Sequence, residues 1–189
     1  VGGLADTTFF QLFFYGLWKV LPMIIVSYVV GLGIEFAVAQ MKGHEINEGF
    51  LVSGLLIPMI MPVEAPLWMV ALSTAFAVII GKEIFGGTGM NIWNPALLAR
   101  AFFFFSYPSM ISGDKVWIAG DTADAISQAT PLAQMALGQP LTYSTADMFW
   151  GFIPGSVGET SAFCILIGAV ILLLTNVASW RTMISVFVG

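Results

Sequence analysis

The sequence predicts an all-α, polytopic membrane protein: a bundle of helices, several of which are broken or too short to cross a bilayer. The composition indicates a membrane protein, because 58% of the 189 residues are hydrophobic and only 9% are charged. A soluble domain carries about 25% charged residues. The mean hydropathy of +0.92 agrees with this assignment. Glycine and proline interrupt several apolar stretches, a pattern typical of discontinuous or re-entrant membrane helices.

Residues 20–39 form the first predicted span. About twenty apolar residues are enough to cross a hydrocarbon core of about 30 Å. Glu35 lies in the last third of this span, where an ionisable group is expensive and by default indicates an ion or proton path. An equally weighted alternative is a glutamate that reaches headgroup water or pairs with Lys42. Gly31 and Gly33 thin the helix locally, which lets another helix or a flat ligand approach closely.

Three shorter apolar segments follow, at residues 49–62, 66–80 and 84–105. The first and third are broken by glycine and proline, so we predict discontinuous or re-entrant helices there, with backbone ends buried in protein or lining a cavity. Asn94 before Pro95 predicts a helix start, an amide cap followed by proline at the first helical position. The half-helix that follows would direct its positive end into the membrane, a suitable place for an anion or an electron-rich ring.

The charged residues of these segments call for partners. Lys82 and Glu83 are adjacent, and we expect a local ion pair between them. Arg100 lies within the predicted half-helix and must find a carboxylate, a phosphate or a carbonyl cluster. His44 is interpreted as a loop residue, and no metal site is predicted.

Residues 106–155 are the long polar stretch of the chain, and we predict an extramembrane loop there. Its length favours a functional loop, because structureless connections beyond about 12–15 residues are uncommon. A second span is predicted at residues 162–178, and residues 184–188 begin another. If the three short segments each cross, the Lys42 and Thr130 loops lie on opposite faces, with the Lys42 face cytoplasmic under the positive-inside tendency.

Other function classes find no support in the sequence. It contains no Walker loop, no dinucleotide-binding GxGxxG after a strand, no cysteine cluster and no GxSxG. The single cysteine, Cys164, excludes an intramolecular disulfide. The net charge of −5 rests on few residues and says little about topology. The sequence begins and ends without a recognisable boundary, so we expect that it is a central fragment of a longer protein.

The polar loop contains the segment DAISQAT at residues 124–130. Asp124, Ser127 and Thr130 are spaced as in the Asp-x-x-Ser/Thr-Gly-Ala-Thr signature at which a flavin transferase esterifies FMN to threonine, with Gln128 in place of the glycine. Taken alone, residues of this kind more often form an ordinary turn. Other short motifs accompany the segment in a fixed order: HEINEGF at 44–50, GKEIFGGTG at 81–89, NPAL at 94–97, RAF at 100–102, ISGD at 111–114 and PGSVGE at 154–159.

In this order the motifs resemble the family of the B subunit of the sodium-translocating NADH:quinone oxidoreductase, which is shared with the D subunit of the Rnf complex. The resemblance implies a fold of two inverted five-helix repeats, similar to urea and ammonium transporters. Residues 1–105 would then end the first repeat, residues 106–155 form the flavin-bearing loop, and residues 156–189 begin the second repeat.

The resemblance also implies cofactors and site residues. FMN would be linked covalently to Thr130, within the loop that holds Asp124 and Ser127, and riboflavin would bind noncovalently elsewhere. Glu35 matches a membrane glutamate implicated in sodium uptake, and Gly31 and Gly33 are weaker candidates for contact with quinone.

Electrons would then pass from a partner's FMN to ubiquinone, coupled to Na⁺ export, within a six-subunit complex of the bacterial inner membrane. The NADH site would belong to another subunit, and the Thr130 loop would be periplasmic. The expected partners are the other subunits, a flavin transferase and membrane lipid, and no nucleic acid. Two alternatives stay open: an Rnf-type subunit, and a urea- or ammonium-type solute channel without flavin.

Overall fold

The computed structural model describes residues 8–43, 48–111, 130–153 and 155–189, and within these ranges the regular structure is helical. The all-α prediction is therefore confirmed for the described residues, whereas the inverted repeats and the division into domains stay predictions. A 3₁₀ turn at Glu83–Phe85 separates the third and fourth helices. The α-helices, in chain order, are α1 Phe9–Lys42, α2 Phe50–Met59, α3 Leu67–Gly81, α4 Pro95–Ser106, α5 Pro108–Ile111, α6 Pro131–Ala136, α7 Thr145–Trp150, α8 Ala162–Leu174 and α9 Trp180–Val188.

Two helical stretches are long and apolar enough to cross a membrane, Phe13–Lys42 and Leu67–Phe85. The first is longer than the predicted span of residues 20–39, since α1 runs for 34 residues and passes through Pro22 without a break. At 1.5 Å per residue α1 is about 50 Å long, more than the hydrocarbon core of about 30 Å requires. The helix ends at Gly43, whose φ of 69° lets the chain turn away.

The segments predicted to be broken are short helices. α2 has 10 residues and α4 has 12, which correspond to about 15 and 18 Å, so neither crosses the hydrocarbon core alone. The loop before α4 contains Gly86, Gly87 and Gly89, all with positive φ. A backbone of this kind is accessible to glycine and strained for most other residues, and it lets the chain fold back into the bundle.

The start of α4 follows the predicted capping chemistry. Asn94 Oδ1 accepts hydrogen bonds from the backbone N–H groups of Ala96, at 2.9 Å, and Leu97, at 3.4 Å. Pro95 occupies the first helical position, where its missing N–H costs nothing. The prediction of a capped half-helix beginning at this dipeptide is confirmed.

Side-chain contacts establish the directions of the helices. Leu98 of α4 packs on Gly81 at the end of α3, and Phe102 stacks on Phe76 with ring centroids 4.3 Å apart. These pairings make α3 and α4 antiparallel. α1 and α3 are parallel, because residues near both of their carboxyl ends meet, as described below. The Lys42 turn and the start of α4 therefore lie at one end of the bundle, and Ser106 lies at the other.

The core between α1, α2 and α3 is organised by one aromatic side chain. Phe50 is fully buried and lies directly over Gly31, where an added Cβ would come within 1.9 Å of Phe50 Cζ. The predicted thinning of α1 therefore admits a neighbouring helix at Gly31. Gly33 lies on the exposed side of α1, with no atom within 4 Å of an added Cβ.

This difference predicts unequal effects for two matched substitutions. Gly31→Ala should destabilise the protein by about 1–3 kcal/mol, because the buried ring must move to accept the methyl group. Gly33→Ala removes a helical glycine in open space and should be neutral or slightly stabilising. Thermal melting of the two purified variants side by side tests this, and equal melting temperatures would show that Phe50 adjusts freely.

The second span predicted at residues 162–178 is wrong in its length. α8 ends at Leu174 after 13 residues, about 20 Å. Thr175 and Asn176 end it: Asn176 has a φ of 56°, and asparagine is one of the few residues that adopt this left-handed conformation readily after a helix. The last helix likewise begins at Trp180, earlier than the predicted residue 184. α7 packs on α8 through Trp150 and Phe163, whose ring centroids are 4.9 Å apart.

Candidate functional site

A buried ion pair joins α1 to the end of α3. Glu35 is 5% exposed and Lys82 is 4% exposed. The ammonium group of Lys82 donates a hydrogen bond to the Glu35 carboxylate. Burial of either charge alone would be costly, so each group depends on the other for its place in the bundle. Lys82 Nζ also lies 5.9 Å from the centre of the Phe50 ring.

Two expectations about these charges are corrected by the structure. Lys82 does not pair with its neighbour Glu83, because the ammonium crosses to α1 instead. The Glu83 carboxylate lies 3.8 Å from Lys42 Nζ, which donates a hydrogen bond to the Glu83 carbonyl oxygen at 2.8 Å. The alternative pairing of Glu35 with Lys42 is therefore also wrong. The buried position of Glu35 does not agree with a headgroup contact, and its place on an ion path stays a prediction.

Sequence reasoning missed Lys82 as the partner of Glu35. A signal was present, because a lysine at the end of a 15-residue apolar helix needs a carboxylate at the same depth. Glu35 lies seven residues before the end of α1. Once α1 and α3 are known to be parallel, Glu35 provides the carboxylate that Lys82 needs at its depth.

A cavity of about 350 Å³ lies beside this pair, within the range of about 300–1,000 Å³ that is usual for small-molecule sites. It is open to the surface and is lined by α2, the loop that contains Gly86, Gly87 and Gly89, and the start of α4. Its polar side chains are Ser53, Lys82, Thr88, Asn91 and Asn94, and its apolar ones are Val52, Leu56, Ile92, Trp93 and Pro95.

The electrostatics of this cavity favour an electron-rich ligand. The amino terminus of the 12-residue α4 contributes a partial positive charge, whereas the charge of Lys82 is balanced by Glu35. The remaining wall offers an indole face, aliphatic groups and amide groups that can donate or accept. Such a wall suits a flat ring with a polar edge.

Arg100 pairs with a carboxylate, one of the three kinds of partner that the sequence predicted. Its guanidinium lies 2.8 Å from Glu159 Oε2, which also accepts a hydrogen bond from Ser156 Oγ at 3.0 Å. Gly158 N donates to the carbonyl oxygen of Met59 at 3.1 Å. The segment before α8 is thereby tied to the end of α2 and to the middle of α4.

Thr130 lies apart from the Glu35 site, at the start of α6. Its Oγ1 accepts a hydrogen bond from Ala133 N at 3.2 Å, and the side chain is partly exposed. Among the described residues the hydroxyl donates to no acceptor. Asp124 and Ser127, like His44, lie outside the described residues, so the structure does not place them.

Comparison with known proteins identifies the family. The model of the NQR2, RnfD, RnfE family matches residues 2–189. The chain belongs to this family. The resemblance that the ordered motifs indicated is thereby confirmed, and the two long apolar helices agree with the membrane setting that the composition predicted.

Curated relatives in the family carry a more specific name, the B subunit of the Na(+)-translocating NADH-quinone reductase. The chain is similar to the protein of that name from Chromohalobacter salexigens, with 53% identity over 180 residues, 94% of this chain and 43% of the relative. It is 48% identical to the protein from Yersinia pestis, over 89% of this chain and 42% of the relative. The protein from Pseudoalteromonas atlantica is 44% identical, over 99% of this chain and 47% of the relative. The chain thus spans less than half the length of these relatives.

Proposed function

We propose that this chain is part of the B subunit of a Na⁺-translocating NADH:quinone reductase, which carries electrons through flavin to ubiquinone while Na⁺ is exported. The observation that carries the proposal is the buried Glu35–Lys82 pair beside the broken helices, in a chain similar to proteins of that name. NADH is oxidised on another subunit, and the other subunits of the complex are the partners of this chain.

Glu35 serves as a carboxylate on the ion path. It is a buried acidic side chain on a membrane helix, and the helices around it are discontinuous. A hard cation that leaves water needs oxygen ligands in its place. A carboxylate held by a lysine provides such an oxygen while staying compatible with the apolar core when no ion is present.

Thr130 is the attachment point for FMN. The residue fits this role because its hydroxyl is partly exposed, serves only as an acceptor among the described residues, and stands at the start of α6. FMN would supply one-electron transfer, while the chain supplies position, and Asp124 and Ser127 belong to the segment that a flavin transferase would recognise.

The cavity beside Lys82 is where riboflavin would bind. Trp93 offers a face for stacking, and Asn91 and Asn94 offer amide groups to a polar ring edge. The start of α4 places a partial positive charge where electron density would increase on reduction. The residues present therefore fit a flavin ring held without a covalent bond.

Gly31 and Gly33 contribute differently to a quinone contact. Gly31 is covered by Phe50, so a quinone at Gly31 would require this ring to move. Gly33 is open on the outer face of α1, where a quinone ring or a neighbouring subunit can approach. The positive-inside tendency places the Lys42 end of the bundle in the cytoplasm of a bacterium and the Thr130 loop in the periplasm.

The relatives favour the quinone reductase over the Rnf-type alternative, since those compared above are named as NADH-quinone reductase subunits. A solute channel without flavin remains the alternative of a different class. Flavin bound to the purified protein separates the two.

The proposed ion path is tested by Glu35→Gln in the full complex. Glutamine keeps an oxygen that accepts from Lys82 but lacks the charge, so the apparent KM for Na⁺ in quinone reduction should rise at least about tenfold, equivalent to about 1.4 kcal/mol. Glu159→Gln is the matched control, a paired glutamate that is 48% exposed, and should leave this KM unchanged. An unchanged Na⁺ dependence in Glu35→Gln would remove Glu35 from the path.

A further inference from the structure

The carboxylate of Glu83, in the 3₁₀ turn after α3, is buried without a full set of partners. Its side chain is 9% exposed, and its Oε2 atom has no hydrogen-bond partner among the described residues. Lys42 is near, but its ammonium donates to the Glu83 carbonyl oxygen at 2.8 Å and stays 3.8 Å from Oε2. A buried carboxylate oxygen without a donor is costly, so the site calls for a further ligand.

The other buried glutamate of this region is better satisfied. Glu35 accepts a hydrogen bond from Lys82, and both of these side chains are 5% exposed. The side chain of Lys42, by contrast, is 42% exposed, so water can solvate its ammonium when it moves away from Glu83. The pair of Lys42 and Glu83 is therefore the weaker of the two and the more easily displaced.

The loop after α3 leaves space beside the Glu83 carboxylate. Gly86 N donates to the Glu83 carbonyl oxygen at 3.3 Å, which folds the loop back over this residue. A Cβ added to Gly87 would have Glu83 Oε1 at 4.0 Å as its nearest contact beyond its chain neighbours, among the described residues. The absent side chain at position 87 therefore leaves room for a small ligand next to an anionic oxygen.

Glu83 lies at the end of the bundle from which an ion would approach Glu35. Lys42, which contacts Glu83, is seven residues beyond Glu35 on α1, about 10 Å nearer the end of the helix. The positive-inside tendency places this end in the cytoplasm, the side from which Na⁺ is exported under the proposed function. An ion that enters there meets Glu83 before it meets Glu35.

We propose that the Glu83 carboxylate is an entry site for Na⁺, at which the incoming cation displaces the ammonium of Lys42 before it reaches Glu35. The site rests on the proposed ion path. A carboxylate oxygen is a ligand that a hard cation prefers. One positive charge replaces another in the exchange, so the buried carboxylate is never left without a counter-charge.

The test measures quinone reduction by the full complex at increasing Na⁺, with choline chloride holding the ionic strength constant. Glu83→Gln should raise the apparent KM for Na⁺ about five- to tenfold, because the amide keeps the shape of the side chain but not its charge. Lys42→Met should lower this KM about two- to fivefold, because the competing ammonium is absent. The variant that combines both changes should behave like Glu83→Gln, since Lys42 acts only through Glu83.

Thermal melting of the same purified complexes provides a readout that does not depend on turnover. Na⁺ in place of choline should raise the melting temperature more in Lys42→Met than in the parent, and less in Glu83→Gln, because a ligand stabilises the state that binds it. Glu48→Gln is the matched control. It removes an exposed carboxylate just before α2, at the same end of the bundle, and should change neither measurement.

An unchanged KM in Glu83→Gln would overturn the site, as would a KM that Glu48→Gln raises equally, which would indicate attraction of cations by surface charge alone. An effect of Lys42→Met that persists in the combined variant would overturn the displacement of Lys42. If Glu35→Gln shifts the Na⁺ dependence and Glu83→Gln does not, the proposed function stands and only the entry site fails. The reverse result would support the entry site and remove Glu35 from the path.

Discussion

Thr130→Val should abolish the covalent flavin of the full-length protein when it is expressed with a flavin transferase. Valine has nearly the shape of threonine but no oxygen, so no phosphoester bond can form. The change also removes the Thr130 hydroxyl that caps α6, which costs about 1 kcal/mol locally. In-gel flavin fluorescence under denaturing conditions measures the covalent group, and we expect complete loss of the signal.

Two control variants separate chemistry from folding. Thr130→Ser keeps both the hydroxyl and the cap and should retain at least part of the fluorescence. Thr142→Val removes a hydroxyl that bonds to Gln134 in the same part of the chain, at 2.9 Å, and should leave labelling intact. Persistent fluorescence in Thr130→Val would place the attachment elsewhere, and an unlabelled parent protein run next to a labelled positive control would favour the solute channel.

Local chemistry in the sequence predicted much of the fold. The apolar stretches, the broken segments and the capped start of α4 depend on residues close together in the chain, so composition and the Asn94–Pro95 dipeptide were sufficient. The predicted length of the span at α8 was wrong because hydropathy alone extended it past Thr175 and Asn176. Asparagine after a helix permits a left-handed residue, and that conformational preference outweighed the apolar residues that follow.

The candidate site was predicted only in part, for a physical reason. Glu35 was identified because a carboxylate in an apolar helix is expensive, but its partner depended on the parallel arrangement of α1 and α3. Sequence proximity favoured Glu83 for Lys82, whereas packing brought Glu35 closer. The cavity likewise arises from contacts between distant segments, which no local pattern encodes.

Removing the Glu35 charge without removing that of Lys82 should be among the most damaging changes to stability. Glu35→Leu leaves a buried ammonium group without its carboxylate, which should destabilise the protein by about 3–5 kcal/mol. Both residues are at most 5% exposed, so water cannot replace the lost partner. Thermal melting of the purified complex measures the effect, and its readout is the folded fraction that remains after heating.

The double variant Glu35→Leu with Lys82→Met should recover most of this loss, because a buried ion pair replaced by apolar groups of similar volume is often neutral or stabilising. Glu159→Leu, which removes the exposed partner of Arg100, provides the comparison and should lower the stability by at most about 1 kcal/mol. If the double variant melts as low as Glu35→Leu, the pair would owe its importance to shape and hydrogen bonding. Recovery of stability together with lost Na⁺ dependence would instead show that the pair is kept for ion transport at no gain in stability.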